Sequence, residues 1–553
     1  MAVYNAAAPS EPQGRLPYKW KVLISVIFGV FMIILDSTVV NVAFQTLRQE
    51  YGASLADSQW VLSIYVLALG ITTPMSGFLA DRFGAKRIYV GGLSIFVIGS
   101  LLCGLAPTLS SSIWFLVAMR ALQGIGGGMA QPLGAALLYR AFPPDEVGKA
   151  LGFFGIALVL APALGPLLGG WLVDANLWEW IFFINLPIGV LGITLASRFL
   201  RQEAAANKPA ADPLGLVTAV IGFGSVLYGA SIAAEQGWTS PPVVLSFSIA
   251  AVALTAFAIV ELFVAKEPML NLRLYGRRNF LIANLVGYVT VIALFGAEFL
   301  LPVYLQALRG RTALETGLIL LALAIASGIA TPIAGRLYDK IGPRPLVVLG
   351  FALLVINTWQ LSQIQADTSI QWLLFLLALR GVAIGLTIQT TFATALGSVP
   401  RDSLARGSSL VNGTRFVIQA LGVALLSTVL SSAISPEVRA FSQQSQEAAQ
   451  PAQENPNAPA AAAEPQPRFG LCETPGVAPQ NNVPPGTPVS AAAQVRPQIQ
   501  RACSENLIGF ERAYNVTFYA AIVAALLGAL LPGWPFKWAG RAAMGNEAQA
   551  TAH

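Results

Sequence analysis

Residues 73–87 read TPMSGFLADRFGAKR, and residues 331–345 read TPIAGRLYDKIGPRP. Thr73/Thr331, Pro74/Pro332, Gly77/Gly335, Leu79/Leu337, Asp81/Asp339 and Gly84/Gly342 match at a constant spacing of 258 residues. Basic residues keep the register, Arg82 with Lys340 and Lys86 with Arg344. A second pair, FLVAMR ending at Arg120 and FLLALR ending at Arg380, recurs at a spacing of 260. The chain therefore reads as two copies of one unit. In a membrane, two halves related by an axis along the normal, with cargo held between them, form a transporter that works by rocking about a central site.

The residues around the repeats place them in a bilayer. Of 553 residues, 55% are hydrophobic and only 11% charged, far from the balance of a soluble domain. Apolar stretches of roughly 20 residues, enough to cross the hydrocarbon core as helices, recur from end to end. The start, MAVYNAAAPSEPQGRLPYKWK, is too polar for the core of a cleaved signal, so the first apolar stretch is read as a retained span. The formal charge of +6 gathers in alternate loops and so reports topology, not nucleic-acid binding. By that rule the chain has about fourteen spans with both termini cytoplasmic. Its expected organisation is a cytoplasmic N-terminus (1–20), a six-helix bundle (21–200), a linker carrying two extra spans without counterpart in the repeat (201–278), a second six-helix bundle (279–533) and a cytoplasmic tail (534–553). Between the last two spans, residues 433–511 turn rich in Ala, Gln, Pro and Glu, a composition that buries no core and is expected outside the cytoplasm. That insert contains Cys472 and Cys503, candidates for a disulfide.

Charged residues inside spans are the candidates for chemistry, because a lone ionised group there costs at least ~2.5 kcal/mol. Asp36 stands in IILDSTVVNVA and Glu298 in LFGAEFLLP; Arg120, Arg380 and Arg415 also fall within spans. Asp36 lies twelve residues before the outer-loop Arg48, and Glu298 eleven before Arg309, so both sit at a similar depth, ~16 to 18 Å of helix from the outer edge. Their spacing of 262 residues makes them near-equivalents in the two halves. Arg415 is either a partner for Glu298 or a receptor for anionic cargo. Asn41, Gln123, Phe295, Phe299 and Tyr304 are candidate pathway residues. Trp60, Trp171, Trp178 and Trp180 are expected in the interfacial belt. The only histidine is the last residue, and neither HExxH, CxxC nor GxxxxGK[ST] occurs. Zinc catalysis and P-loop ATP use thus have no support.

GFLADRFGAKR resembles the signature between the second and third helices of the major facilitator superfamily, matching at Gly77, Asp81, Arg82, Gly84, Lys86 and Arg87, with Asp339 in the second copy. LDSTVVNVA and RALQGIGGGM (120–129) resemble the first- and fourth-helix motifs of its fourteen-helix drug:proton antiporters, the EmrB/QacA type. GIALVLAPALGPLLGG (155–170), with Gly155, Pro162, Gly165, Pro166, Gly169 and Gly170, resembles the antiporter motif of the fifth helix, and WEWIFFINLPIG (178–189) is typical of that branch. The resemblance implies a major facilitator fold: an all-α polytopic protein of two six-helix halves plus two inserted helices, fourteen spans in all. It implies that Arg120 is the partner of Asp36, so that separating them would let the acid take up a proton. In the latch motif, Gly77 would allow close helix approach while Asp81 sits at a neighbouring helix N-terminus.

The expected function is proton-coupled efflux of amphipathic or cationic compounds across the inner membrane of a bacterium. Asp36 and Glu298 are the coupling acids and Arg120 tunes the first. The protein is a secondary transporter, not an enzyme, using a proton gradient and no cofactor or metal, with a periplasmic adaptor as a candidate partner. Export of a lipid or metabolite is the alternative within transport. A non-transporting receptor or scaffold is the alternative from another class.

Overall fold

A computed structural model describes residues 16–202, 212–435, 438, 472 and 489–532. The remaining calls on the two termini and most of the 433–511 insert lie outside the described residues. Everything described is helix, turn or loop, with no strand. The principal helices are α1 (Tyr18–Val39), α2 (Leu55–Phe83), α3 (Ala85–Gly104), α4 (Ile113–Ala141), α5 (Val147–Asp174), α6 (Asn185–Phe199), α7 (Pro213–Gln236) and α8 (Pro241–Ile259). They continue with α9 (Arg278–Val303), α10 (Ala313–Ile341), α11 (Pro343–Leu361), α12 (Ile370–Gly397), α13 (Leu404–Ser432) and α14 (Val489–Gly528).

Local chemistry sets many of the ends. The Ser54, Ser112 and Ser369 hydroxyls accept the first free N–H groups of α2, α4 and α12, and Asp212 does so for α7. Thr312 and Glu315 form a reciprocal capping box at α10, with both bonds 3.0 Å long. Gly84 and Gly342 end α2 and α10 at φ of +95° and +79°, a conformation that a residue with a Cβ adopts only under strain. The recurrence of that glycine in the repeat therefore encodes the same tight turn twice.

Among the described residues twelve helices are long and apolar enough to cross a bilayer, two fewer than the fourteen expected. The two other expected positions hold α9, whose described apolar stretch is Arg278–Ile292, and α14. The last helix differs most from the expectation. It begins at Val489 and runs for 40 residues, so the end of the polar insert is itself helical. Glu505 accepts the Ser435 N–H at 2.7 Å, fastening this extension to the end of α13. Cys472 and Cys503 form a disulfide, and the Cys472 N–H donates to the Leu308 carbonyl at 2.9 Å. Closing the intervening 31-residue separation should stabilise the fold by about 3.7 kcal/mol. Cys503→Ser is expected to lower the thermal midpoint, and reductant should bring the unaltered chain down to the same value. Equal midpoints without reductant would show that the bridge carries no stability.

The duplication is visible in the packing. In the first half α1 lies against α4, α5 and α6, and α4 against α2 and α3. In the second, α9 lies against α12, α13 and α14, and α12 against α10 and α11. The halves meet along two seams that exchange under the same symmetry, α2 with α13 and α5 with α10. The inserted pair stands apart from both copies: α7 packs on α8, α2 and α13, and so bridges the first seam from outside. The Trp60 ring stacks on Tyr228 of α7 with centroids 6.1 Å apart. The Trp238 indole donates to Thr428 of α13 at 2.7 Å. Large exposed apolar residues such as Val252, Phe263 and Leu526 suit helix faces turned to lipid.

Candidate functional site

Asp36 is fully buried inside the first half, and its carboxylate accepts from three side chains. Arg120 Nη1 donates to Oδ2 at 2.6 Å, Gln123 Nε2 to Oδ1 at 2.8 Å, and Asn185 Nδ2 to Oδ1 at 2.8 Å. Arg120 and Gln123 stand three apart on α4 and share a face, and Nη1 also donates to Gln123 Oε1 at 2.8 Å. The guanidinium lies 4.1 Å from the Tyr65 ring centroid, and its Nε donates to the Val61 carbonyl. Asn185 also donates to the Ser100 hydroxyl at 3.0 Å, which donates to the Phe182 carbonyl at 2.8 Å. The result is a charge-assisted pair in a low-dielectric interior with every carboxylate oxygen engaged by donors. Asn185 and Ser100 were not singled out in the sequence; a polar residue in the apolar INLPIG run was the available signal.

At one end of the bundle the halves are bonded to each other. The Asp81 carboxylate takes Arg406 Nε at 2.6 Å and lies 3.9 Å from Arg140. Its repeat partner Asp339 accepts the Gly148 and Lys149 N–H groups at 2.8 and 2.9 Å, capping the N-terminus of α5. The sequence reading gave that capping role to Asp81; the structure gives it to Asp339, while Asp81 binds a side chain in the first turn of α13. The glycines make both contacts feasible. A Cβ on Gly77 would stand 2.6 Å from the Ala405 carbonyl oxygen, and one on Gly335 would overlap the Gly148 carbonyl. Ser76 and Ser409, Ser408 and the Pro132 carbonyl, and Tyr139 and the Ala393 carbonyl add bonds across the same end.

The connector after α8 joins this latch. Arg406 Nη1 donates to the Pro268 carbonyl at 3.1 Å, and buried Glu261 accepts the Leu270 N–H at 3.2 Å. Neither Arg406 nor Glu261 was identified from the sequence, where each stood at the edge of an apolar run as a span-flanking charge. The basic residues of the motif contribute differently: Lys86 donates to the Ser197 carbonyl within its own half at 2.6 Å, Arg82 lies near the Phe83 ring, and Arg87 is exposed.

The glycines of the fifth-helix motif divide by role. A Cβ on Gly165 would meet Thr38, one on Gly169 would stand 2.8 Å from the Val39 carbonyl oxygen, and one on Gly155 would stand 2.5 Å from Thr331 of the other half. Gly170 has open space. Pro162 and Pro166 are half-buried within α5, and Gly317 of α10 faces Pro166.

Other expected pathway residues lie elsewhere. Asn41 is exposed in the turn after α1. Tyr304 is buried, with its hydroxyl on the Gln365 carbonyl at 2.7 Å and its ring edge-on to Phe510. Phe295, Glu298 and Phe299 fall on α9 in a stretch whose side chains lie outside the described residues. Trp171 and Trp180 are exposed, whereas Trp178 is packed in the core. Arg380, the repeat partner of Arg120, is buried and donates to Asn357 and Thr358. Arg415 lies against Gly287 on α9, eleven positions before Glu298 on the same helix.

Comparison with known proteins follows the same lines. Residues 26–423 match the profile of the Major Facilitator Superfamily. The chain is 30% identical over 434 residues to the lincomycin resistance protein LmrB of Bacillus subtilis (strain 168), covering 78% of this chain and 89% of LmrB. It is 33% identical over 399 residues to a multidrug resistance protein B homolog of Mycobacterium tuberculosis (strain ATCC 25618 / H37Rv), covering 72% and 73% respectively. Among solved structures, the proton:xylose symporter XylE superposes with a TM-score of 0.55, covering 93% of this chain and 96% of its own, at 12% identity. That likeness is one of fold.

Proposed function

The chain belongs to the major facilitator superfamily, a family of transporters rather than enzymes, and from that premise we propose that it is a proton-coupled exporter of amphipathic or cationic toxic compounds. The carrying observation is the buried Asp36–Arg120 pair, held by two amides within one of two halves that are latched at a single end. An opposite charge and donated hydrogen bonds favour the ionised form of an acid, so loss of a donor favours proton uptake. A shift of α1 against α4 within the first half, in step with the rocking, therefore links proton uptake to conformation. The resistance named in the two relatives supports toxic compounds as cargo.

In this reading the latch end is cytoplasmic, placed there by the basic loops, and the described conformation is closed toward the cytoplasm. The membrane is the bacterial inner membrane. One proton moving down ~100 mV supplies about 2.3 kcal/mol, and one pH unit adds about 1.4 kcal/mol. Together these sustain a cargo gradient of a few hundredfold without ATP.

The test has two parts. Expression in an efflux-deficient host is expected to raise tolerance to part of a broad compound panel. The purified chain in liposomes is expected to release or take up protons when those compounds are added. A chain that changes no susceptibility and moves no protons with any compound would overturn the proposal in favour of a non-transporting role.

A further inference from the structure

We propose that Arg415 is the receptor for an anionic group on the cargo, so that the transported compounds include aromatic carboxylates or sulfonates. The inference rests on the exporter reading and extends its substrate class to anions.

Among the described residues three arginines stand deep in the helices, and two are held by side-chain acceptors. Arg120 has Asp36 and Gln123; Arg380 has Asn357 and Thr358. Among the described residues Arg415 has neither an ion pair nor a hydrogen bond, and its contact is the face of Phe392, with the guanidinium carbon 5.4 Å from the ring centroid. The neighbouring polar groups are committed to each other. Tyr288 donates to Thr414 at 2.8 Å and shares a 2.5 Å bond with Tyr275. On the other side Gly287 leaves the guanidinium against bare helix backbone, for a Cβ there would stand 3.7 Å from both Nε and Nη2. A cation ~16 Å into a spanning helix with no anion beside it among the described residues is an expensive arrangement. Its retention calls for an anion that comes and goes.

The direction of the side chain fits that use. Ser408, Asn412, Arg415 and Gln419 recur at four, three and four residues and share one face of α13. Ser408 on that face donates to the Pro132 carbonyl of α4, in the opposite half. Arg415 stands two turns further along that face, and its side chain is only partly buried. Phe392 precedes Ala393, whose carbonyl accepts from Tyr139 of the first half. A planar guanidinium offers two parallel N–H groups to a carboxylate or sulfonate, and the nearby ring favours an aromatic frame. The first half has Ala157 near the repeat-equivalent position, so the cation belongs to one half only and makes the pathway asymmetric.

Fluorescein and rhodamine 6G share a xanthene frame and differ in charge, which makes them a matched pair of probes. Binding would be followed by fluorescence anisotropy with the full chain in lipid nanodiscs. Arg415→Gln is expected to weaken fluorescein binding at least tenfold and to leave rhodamine 6G unchanged or bound more tightly. Arg415→Lys should recover part of the fluorescein affinity, because a point charge replaces a two-pronged donor. Equal fluorescein binding by the unaltered chain and Arg415→Gln would overturn the proposal. So would a parallel loss of both dyes in a variant that elutes like the parent, or no measurable fluorescein binding by the parent. Proton-driven movement of the two dyes in liposomes separates the two readings: selective binding without transport would retain the anion site and remove the exporter, and transport without charge selectivity would do the reverse.

Discussion

Asp36→Asn is expected to reduce proton-driven transport at least tenfold. Three donors converge on the carboxylate, and an asparagine offers one acceptor and one donor group in its place. One of the three bonds becomes donor against donor, and Arg120 is left as a buried cation without its counter-ion. Removing one partner of a buried pair costs about 3 to 5 kcal/mol, so the thermal midpoint should fall as well. Asp36→Asn combined with Arg120→Gln separates the two effects. It removes both charges, and it should recover much of the lost stability, a coupling read from the double-mutant cycle. It should not recover proton-driven uptake in everted vesicles. Full coupling in either variant would remove Asp36 from the mechanism.

Gly335→Val should open the latch. The added Cβ would overlap the Gly148 carbonyl and stand 2.9 Å from its carbon and 3.1 Å from the Gly152 Cα. These are backbone atoms and cannot rotate aside, so α5 and α10 must separate. The Asp339 bonds to Gly148 and Lys149 are then lost together. Charge-assisted bonds contribute about 1.5 to 3 kcal/mol each, and a loss of even ~2.8 kcal/mol shifts an equilibrium about a hundredfold. A reporter cysteine at Ser409, buried in the closed seam, should react with a polar maleimide at least tenfold faster in this background. Gly170→Ala, placed where nothing lies within 4 Å, should leave the rate unchanged. Equal labelling in Gly335→Val and the parent would mean that this contact does not hold the latch.

These experiments start from residues that differ in how visible they were beforehand. Asp36, Arg120, Gly335 and Asp339 could be named from the sequence because each breaks a local pattern or recurs in register. A charge in an apolar run signals itself, and a glycine repeated at a turn reports the backbone angle it serves. Asn185 and Arg406 carried no such mark. The first reaches Asp36 across 149 residues and the second reaches Asp81 across 325, and nothing in the local composition fixes such a pair. The polar insert misled in the opposite direction. Its composition offered no core up to residue 511, yet α14 begins at Val489, where packing and the Cys472–Cys503 bridge hold an otherwise polar helix.

The sequence by itself determined the membrane class, the duplication and the acid on the first helix, because hydropathy, repetition and misplaced charge are properties of short segments. Only the tertiary structure decided which donors hold that acid, which aspartate caps a helix and which binds an arginine, and that Arg415 has no anion within reach among the described residues. Those outcomes depend on distances between segments far apart in the chain, and such distances are set by how the helices pack.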